Sequence, residues 1–249
     1  MYERLRGSPL AMPAGRPLGD TRHDAACASL RSVSILRALP HAELRQLAGR
    51  TRFSRVDNRC KLIAAGVPPE CLHFMTQGAG RISRVDINGR ESLLYMVKPG
   101  EVFGAPALGA RDSDDATIFT ALAPSTVGRI LAKDVENVLG NTAYLNALGQ
   151  IMSHRLRKAE ERLGDMTNGT VSCRTARVLL RLCNEFPRAL HCGTKVDVLL
   201  TQRELAGIIG ATREIVNITL KAFRREGWLG IHNRYMCVHK REQLSELVL

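Results

Sequence analysis

Apolar residues step by three or four positions near the start and over the second half of this chain, and crowd into short runs between turn signals in the stretch between. Residues 29–50 carry Leu30, Ile35, Leu36 and Leu39, then Leu44 and Leu47 beyond the Pro40 break, a spacing that predicts helix. From 52 to 131 short apolar runs are separated by Ala65-Gly66-Val67-Pro68-Pro69, Gln77-Gly78-Ala79-Gly80, Asn88-Gly89 and Lys98-Pro99-Gly100-Glu101. Turn residues at that spacing predict an antiparallel barrel or sandwich. Ile87-Asn88-Gly89-Arg90 suits the type I′ turn of a hairpin. Residues 1–27 are rich in Gly, Pro, Ala and Arg and lack periodicity, which predicts a mobile tail.

Helical spacing returns at about 133 and continues to 167. Leu145, Leu148, Met152, Leu156, Ala159, Leu163 and Met166 form one stripe, flanked by Arg155, Arg157, Lys158, Glu160, Glu161 and Arg162. Such a stripe suits a two-helix seam with charged flanks, and equally a helix packed on its own domain. The polar break Thr167-Asn168-Gly169-Thr170 marks a domain boundary. Beyond it come a helix over 172–187, with Ala176, Val178, Leu179 and Leu182, and a short strand at Val196–Leu200.

Residues 201–226 read as a helix-turn-helix. Thr201 and Glu204 have the spacing of a capping box. Leu205, Ile208 and Ile209 give the first helix an apolar face, and Gly210 permits the positive φ of a tight turn. A second helix from about Thr212 places Ile215, Val216, Leu220 and Phe223 on one side. Arg213, Glu214, Asn217 and Lys221 occupy the other, with chemistry suited to base edges and phosphates in a major groove. The competing reading is an ordinary helical hairpin with a solvated charged face. Trp228-Leu229-Gly230-Ile231 and Tyr235-Met236-Cys237-Val238, joined by His232-Asn233-Arg234, predict a two-stranded wing, and 241–249 a short amphipathic helix.

Charge changes the balance. The 249 residues carry a formal net charge of +12, which favours a polyanionic partner, nucleic acid or an anionic membrane. No apolar run approaches a membrane span, and Arg4, Arg6, Arg16 and Asp20 interrupt any signal-peptide core, so a cytoplasmic location without membrane association is expected. The seven cysteines, 27, 60, 71, 173, 183, 192 and 237, are odd in number and form no C-x-x-C, which argues against a disulfide framework and a zinc ribbon.

The order of tail, β-roll, long helix and winged helix-turn-helix, with Lys98-Pro99-Gly100-Glu101-Val102-Phe103-Gly104, Leu200-Thr201-Gln202-Arg203-Glu204-Leu205-Ala206 and Gly210-Ala211-Thr212-Arg213-Glu214-Ile215-Val216, resembles the cyclic-AMP receptor protein/FNR family of bacterial transcription regulators over roughly residues 30–240. The resemblance implies an α+β chain: a tail (1–28), a β-roll sensor domain of the cyclic-nucleotide-binding type (29–132), a dimerisation helix region (133–167) and a winged helix-turn-helix (168–249). It implies a homodimer on a palindromic promoter site, in contact with RNA polymerase. Leu145, Leu148, Met152, Leu156, Ala159 and Leu163 would form the dimer helix. Two-fold pairing is favoured because a reader with one recognition helix gains affinity and specificity by it. Arg213, Glu214 and Asn217 fall where the family reads bases; Thr201, Gln202, Thr212 and Lys221 are candidate phosphate or positioning contacts. The next family position, often Arg, is Ile218, which could touch a thymine methyl or simply pack.

The sensor half departs from the family. Members that bind cyclic AMP carry a Glu just after the Phe-Gly and an Arg-Ser pair further on. Here Gly104 is followed by Ala105, Pro106 and Ala107, and the phosphate positions fall near Asp115 and Ala116, beside Asp112 and Asp114. Gly104, Ala105 and Arg111, the one nearby cation, remain as effector-pocket candidates. An iron–sulfur cluster would need several tail cysteines, and the tail holds Cys27 alone. No cofactor is expected, and the effector is unknown. Cys71 and His73 are a haem-ligand candidate pair that would otherwise pack in the roll. Cys173, beside Arg174, is a redox candidate that would otherwise be inert, and His191-Cys192 lacks further ligands nearby in sequence. A cupin-like enzyme needs clustered His and carboxylate ligands, whereas 52–131 holds one histidine, so catalysis is not expected. The alternatives are a redox- or haem-responsive regulator of the same family, and a ligand-binding β-roll module without specific DNA binding.

Overall fold

The computed structural model describes residues 20–63, 71–85, 88, 91–103, 116–167, 169–190, 193–233 and 235–248. The chain divides into two compact units, up to Arg155 and from Leu156.

The first unit begins with α1 (Asp20–Arg31) and α2 (His41–Arg50). The segment between them, expected to be helical, is turn-like, with Val33, Leu36 and Leu39 each donating to a carbonyl three residues back. Part of the expected tail is α1 itself, with Ala26, Cys27 and Leu30 buried. Among the described residues eight strands follow: β1 (Arg52–Val56), β2 (Lys61–Ile63), β3 (Cys71–Gln77), β4 (Gly80–Val85), β5 (Glu91–Val97), β6 (Val102–Phe103), β7 (Ala116–Ala121) and β8 (Ser125–Leu131). They form two four-stranded antiparallel sheets, ordered β1-β8-β3-β6 and β2-β7-β4-β5. The expected hairpin is β4–β5, closing at Val85 opposite Glu91; of its turn, only Asn88 lies within the described residues.

Between the sheets Val56, Met75, Phe103 and Val127 meet Ile82, Val97, Phe119 and Ala121, with Phe103 and Phe119 stacked at 4.5 Å between ring centroids. The outer face of the first sheet is also covered. Leu72, Phe74 and Ile130 pack with Leu30, Val33, Leu36, Leu44 and Leu47, and with Val135, Tyr144 and Leu148 of the helices that follow. Burial on both faces explains why β3 reads Leu72-His73-Phe74-Met75 without alternation. The rings need room: a Cβ at Gly128 would lie 2.3 Å from the Phe74 ring.

Those helices are α3 (Ala132–Leu139) and α4 (Asn141–Thr167). Within the first unit, Arg155 of α4 donates to the Val102 carbonyl at 2.8 Å, and its guanidinium lies over the Tyr95 ring, 5.1 Å from the centroid.

The second unit holds the end of α4, then α5 (Val171–Glu185), β9 (Pro187–Leu190), β10 (Gly193–Val196), α6 (Gln202–Ile209), α7 (Arg213–Arg225), β11 (Leu229–His232), β12 (Tyr235–Val238) and α8 (Arg241–Glu246). The strand expected at Val196–Leu200 ends where it was expected to begin, because β10 pairs with β9 over Gly193–Val196 and with β12 at Thr194 and Lys195. The wing strands β11 and β12 pair as expected, within a four-stranded sheet ordered β11-β12-β10-β9. α5 packs on α6, α7 and α8 through Ala176, Val178, Leu179, Leu182 and Cys183, all buried. The architecture is the expected α+β one: β-roll, long helix, winged helix-turn-helix.

Candidate nucleic-acid interface

Local signals place the two helices of the motif. Thr201 caps α6: its hydroxyl accepts from the Glu204 N–H at 3.2 Å, and the Glu204 carboxylate accepts from the Thr201 N–H at 2.6 Å. Gly210 ends the helix at φ 70°, ψ 44°, a left-handed conformation that costs a side-chain-bearing residue strain. Thr212 then caps α7 by accepting from the Ile215 N–H at 3.4 Å.

The buried side of α7 is Val216, Thr219, Leu220 and Phe223. Ile215, expected there, is 45% exposed, because it lies at the border of that face. Arg213, Glu214 and Lys221 are exposed and Asn217 is half-buried. Gln202 of α6 reaches across: its amide N–H donates to Asn217 Oδ1 at 3.2 Å, and Arg213 Nε donates to Gln202 Oε1 at 3.5 Å. Three of the candidate residues, one expected on phosphate and two on bases, therefore share one polar network. The Glu214 carboxylate accepts from its own N–H and from the Thr212 hydroxyl, which together with Arg213 hold it below the usual carboxylate range. At neutral pH it is an acceptor only, matching an amino donor such as cytosine N4. Lys221 and Thr201 are exposed near these groups in sequence.

Sequence reasoning missed a second cluster behind the motif. Arg174 of α5 donates to the carbonyls of Met166 at 3.1 Å, Gly169 at 3.4 Å and Gly210 at 3.2 Å. Met166 lies so close to Gly210 that a Cβ there would be 2.9 Å from its methyl carbon. Asp165 accepts from Arg177 at 3.0 Å and Arg181 at 3.1 Å. Arginines at i and i+4 facing one upstream aspartate were the available signal.

Along α4, Leu145, Met152, Leu156, Ala159, Leu163 and Met166 are exposed, Leu163 by 63%. With exposed Gly149 they follow alternating steps of four and three, the spacing of a coiled-coil seam. Leu148 does not belong with them: at 2% exposure it packs into the first unit's core.

Gly104, Ala105 and Arg111 lie outside the described residues, as do His191 and Cys192. His73 is buried beside Phe103, with Arg129 opposite it on β8; burial first, and then Arg129, lower its pKa from 6.5 to about 4. Cys71 is half-buried. Cys173 sits in the first turn of α5, its N–H donating to the Thr170 hydroxyl, and Arg177 donates to its sulfur at 3.5 Å. Among the described residues no three His, Cys, Asp or Glu side chains gather as a metal site, and no helix is long and apolar enough to cross a membrane.

Residues 173–247 match the Crp-like helix-turn-helix domain family, and residues 55–142 match the cyclic nucleotide-binding domain family. The chain belongs to the Crp/Fnr family. It is 29% identical, over 187 residues, to a CRP-like cAMP-activated global transcriptional regulator of Mycobacterium tuberculosis, covering 74% of this chain and 82% of the relative. The cAMP-activated global transcriptional regulator Vfr of Pseudomonas aeruginosa is 28% identical over 210 residues, 83% of this chain and 98% of the relative. FixK2 from Bradyrhizobium japonicum shares the fold, with a TM-score of 0.66 at 20% identity over 80% of this chain and 98% of that one. As a Crp/Fnr protein the chain is a transcription regulator, not an enzyme, and its helix-turn-helix is a DNA-binding one.

Proposed function

We propose that this Crp/Fnr protein acts in the cytoplasm as a homodimer on a palindromic promoter site, contacts RNA polymerase, and does so without cyclic AMP or an iron–sulfur cluster. One observation carries the reading: α7 is anchored by Val216, Thr219, Leu220 and Phe223 and turns Arg213, Glu214 and Lys221 outward. Base reading is assigned to Arg213, Glu214 and Asn217, and positioning on phosphates to Thr201, Gln202, Thr212 and Lys221. The domains are a tail (1–28), a β-roll (29–132), a dimerisation region (133–167) and a DNA-binding domain (168–249). The exposed seam of α4 suits pairing with a second copy. Pairing would set the separation of two recognition helices, which must match adjacent major grooves about one helical turn apart.

The reading without cyclic AMP rests on sequence positions that lie outside the described residues: Ala105 stands where a Glu would offer a side-chain acceptor to the ribose, and Asp112, Asp114 and Asp115 bring negative charge near the expected phosphate positions. The two relatives named above are cAMP-activated; this chain is proposed to differ on those positions.

A redox-responsive version of the same function is favoured by one contact, Arg177 donating to the Cys173 sulfur at 3.5 Å, which an oxidised sulfur would alter. Selection of bound fragments from genomic DNA tests both. Reduced protein without ligand is expected to enrich one palindromic motif, unchanged by cyclic AMP. Loss of the motif on mild oxidation, absent in Cys173→Ser, would establish the redox version. Enrichment only with cyclic AMP would overturn effector independence. No motif under any condition would leave a ligand-binding β-roll module.

A further inference from the structure

The buried residues of α7 fix which of its side chains face outward. With 3.6 residues per turn, the side opposite Val216, Thr219, Leu220 and Phe223 is formed by Glu214, Ile218, Lys221 and Arg225, all exposed. Ile218 is thus in the middle of the DNA-facing surface rather than at its margin. It is 66% exposed, the largest value among the exposed large hydrophobic side chains described. Arg213 and Asn217 lie to one side, already engaged with Gln202, and Ile215 lies to the other.

We propose that Ile218 is a specificity-determining residue that covers the C5-methyl group of a thymine in the major groove. This rests on the DNA-reading assignment above. An apolar side chain at the centre of a face whose other members are charged gains nothing from water and contributes only when a partner covers it. The face around it carries Lys221 and Arg225 beside the single acid Glu214, and Arg213 and Arg224 flank it, a net positive surface that suits a polyanion. Among the groups that base pairs display in the major groove, the thymine methyl is the apolar one. Isoleucine suits the task because branching at Cβ leaves one strongly preferred χ1 in a helix, so its methyl groups are held in place before binding. Glu214 precedes it by four residues, a rise of about 6 Å, which places the thymine within about two base pairs of the base that Glu214 is proposed to read.

The test removes a single methyl group from the DNA. The full chain is first used to select its preferred palindrome from random duplexes. Each thymine of the half-site is then replaced in turn by deoxyuridine, symmetrically in both halves, and the Kd is measured. At one position the wild-type chain is expected to lose affinity about fourfold per half-site, and about fifteenfold for the pair, the value of one buried methyl. Ile218→Ala is expected to bind the thymine and deoxyuridine sites equally, and its own selected motif to lose thymine at that position while keeping the others. Ile218→Val, which retains a branched Cβ, is expected to keep part of the discrimination. A wild-type chain that selects a palindrome but is indifferent to deoxyuridine at every thymine overturns the assignment of Ile218 and leaves the function standing. A wild-type chain that selects no motif overturns both.

Discussion

Arg174 Nη2 donates to the carbonyl oxygen of Gly210, 3.2 Å away, while Nη1 serves the carbonyls of Met166 and Gly169. One guanidinium therefore ties the end of α4 to the turn between α6 and α7. Arg174→Lys keeps the charge but loses the planar fork. It is expected to cost roughly 1–2 kcal/mol of stability in urea unfolding, and to broaden the range of half-site spacings accepted in DNA selection while base preference stays unchanged. A narrowed base preference with unaltered spacing would contradict the tie.

Leu163 and Leu148 lie on one helix and should answer differently to substitution. Leu163→Glu places a charge on the exposed stripe and is expected to shift the proposed homodimer toward monomer in sedimentation with little loss of folding. Leu148→Ala opens a cavity in the core beside Tyr144 and Leu72, and is expected to cost about 2–5 kcal/mol in unfolding while the monomer–dimer balance of the folded protein holds.

His73 makes stability depend on pH. Its pKa is about 4 in the fold against 6.5 when free, so between those values the unfolded chain binds the extra proton. Stability is therefore full above pH 6.5 and falls as pH drops through about 4, by at most roughly 3 kcal/mol from this group. His73→Phe is expected to flatten that part of the profile, read as the urea midpoint at a series of pH values.

Glu214 should keep its role in acid. Its own N–H and the Thr212 hydroxyl hold the carboxyl in the ionised form below the usual range. At the position Glu214 is proposed to read, discrimination for cytosine is expected to be lost at a lower pH than an ordinary glutamate would allow, and to disappear in Glu214→Ala, measured by competition between sites differing at that base pair.

Much of this was legible in the sequence because the signals were local. Thr201, Glu204 and Gly210 fix both ends of α6 within a few residues, and the same three positions make both halves of the capping box and the left-handed turn. The misreadings came where the deciding partner is far away in the chain. Periodicity groups Leu148 with Leu145 and Met152, since all are apolar at steps of three or four, and only the fold shows Leu148 buried in the cluster that includes Leu72 and Tyr144. Ile215 lies at the edge of an apolar arc, where a helical pattern cannot separate contact from exposure. α1 was hidden because its packing residues are few, Ala26, Cys27 and Leu30, among charged neighbours. β10 is framed by register rather than by its own apolar run: Val196, its last residue, pairs with Pro187 of β9, while Thr194 and Lys195 also pair with Val238 and Cys237, some forty residues on. Arg174 gave no signal because its acceptors are backbone carbonyls, which any residue supplies.

Arg155 works as a key in a slot. Its hydrogen bond to the Val102 carbonyl and its seat over the Tyr95 ring hold one azimuth of α4 against the roll. The helix cannot spin about its own axis at that point without losing both contacts, so the direction in which the neighbouring Met152 projects is set by β5 and β6. A shift of the Val102 carbonyl or of the Tyr95 ring would free α4 to turn at Arg155.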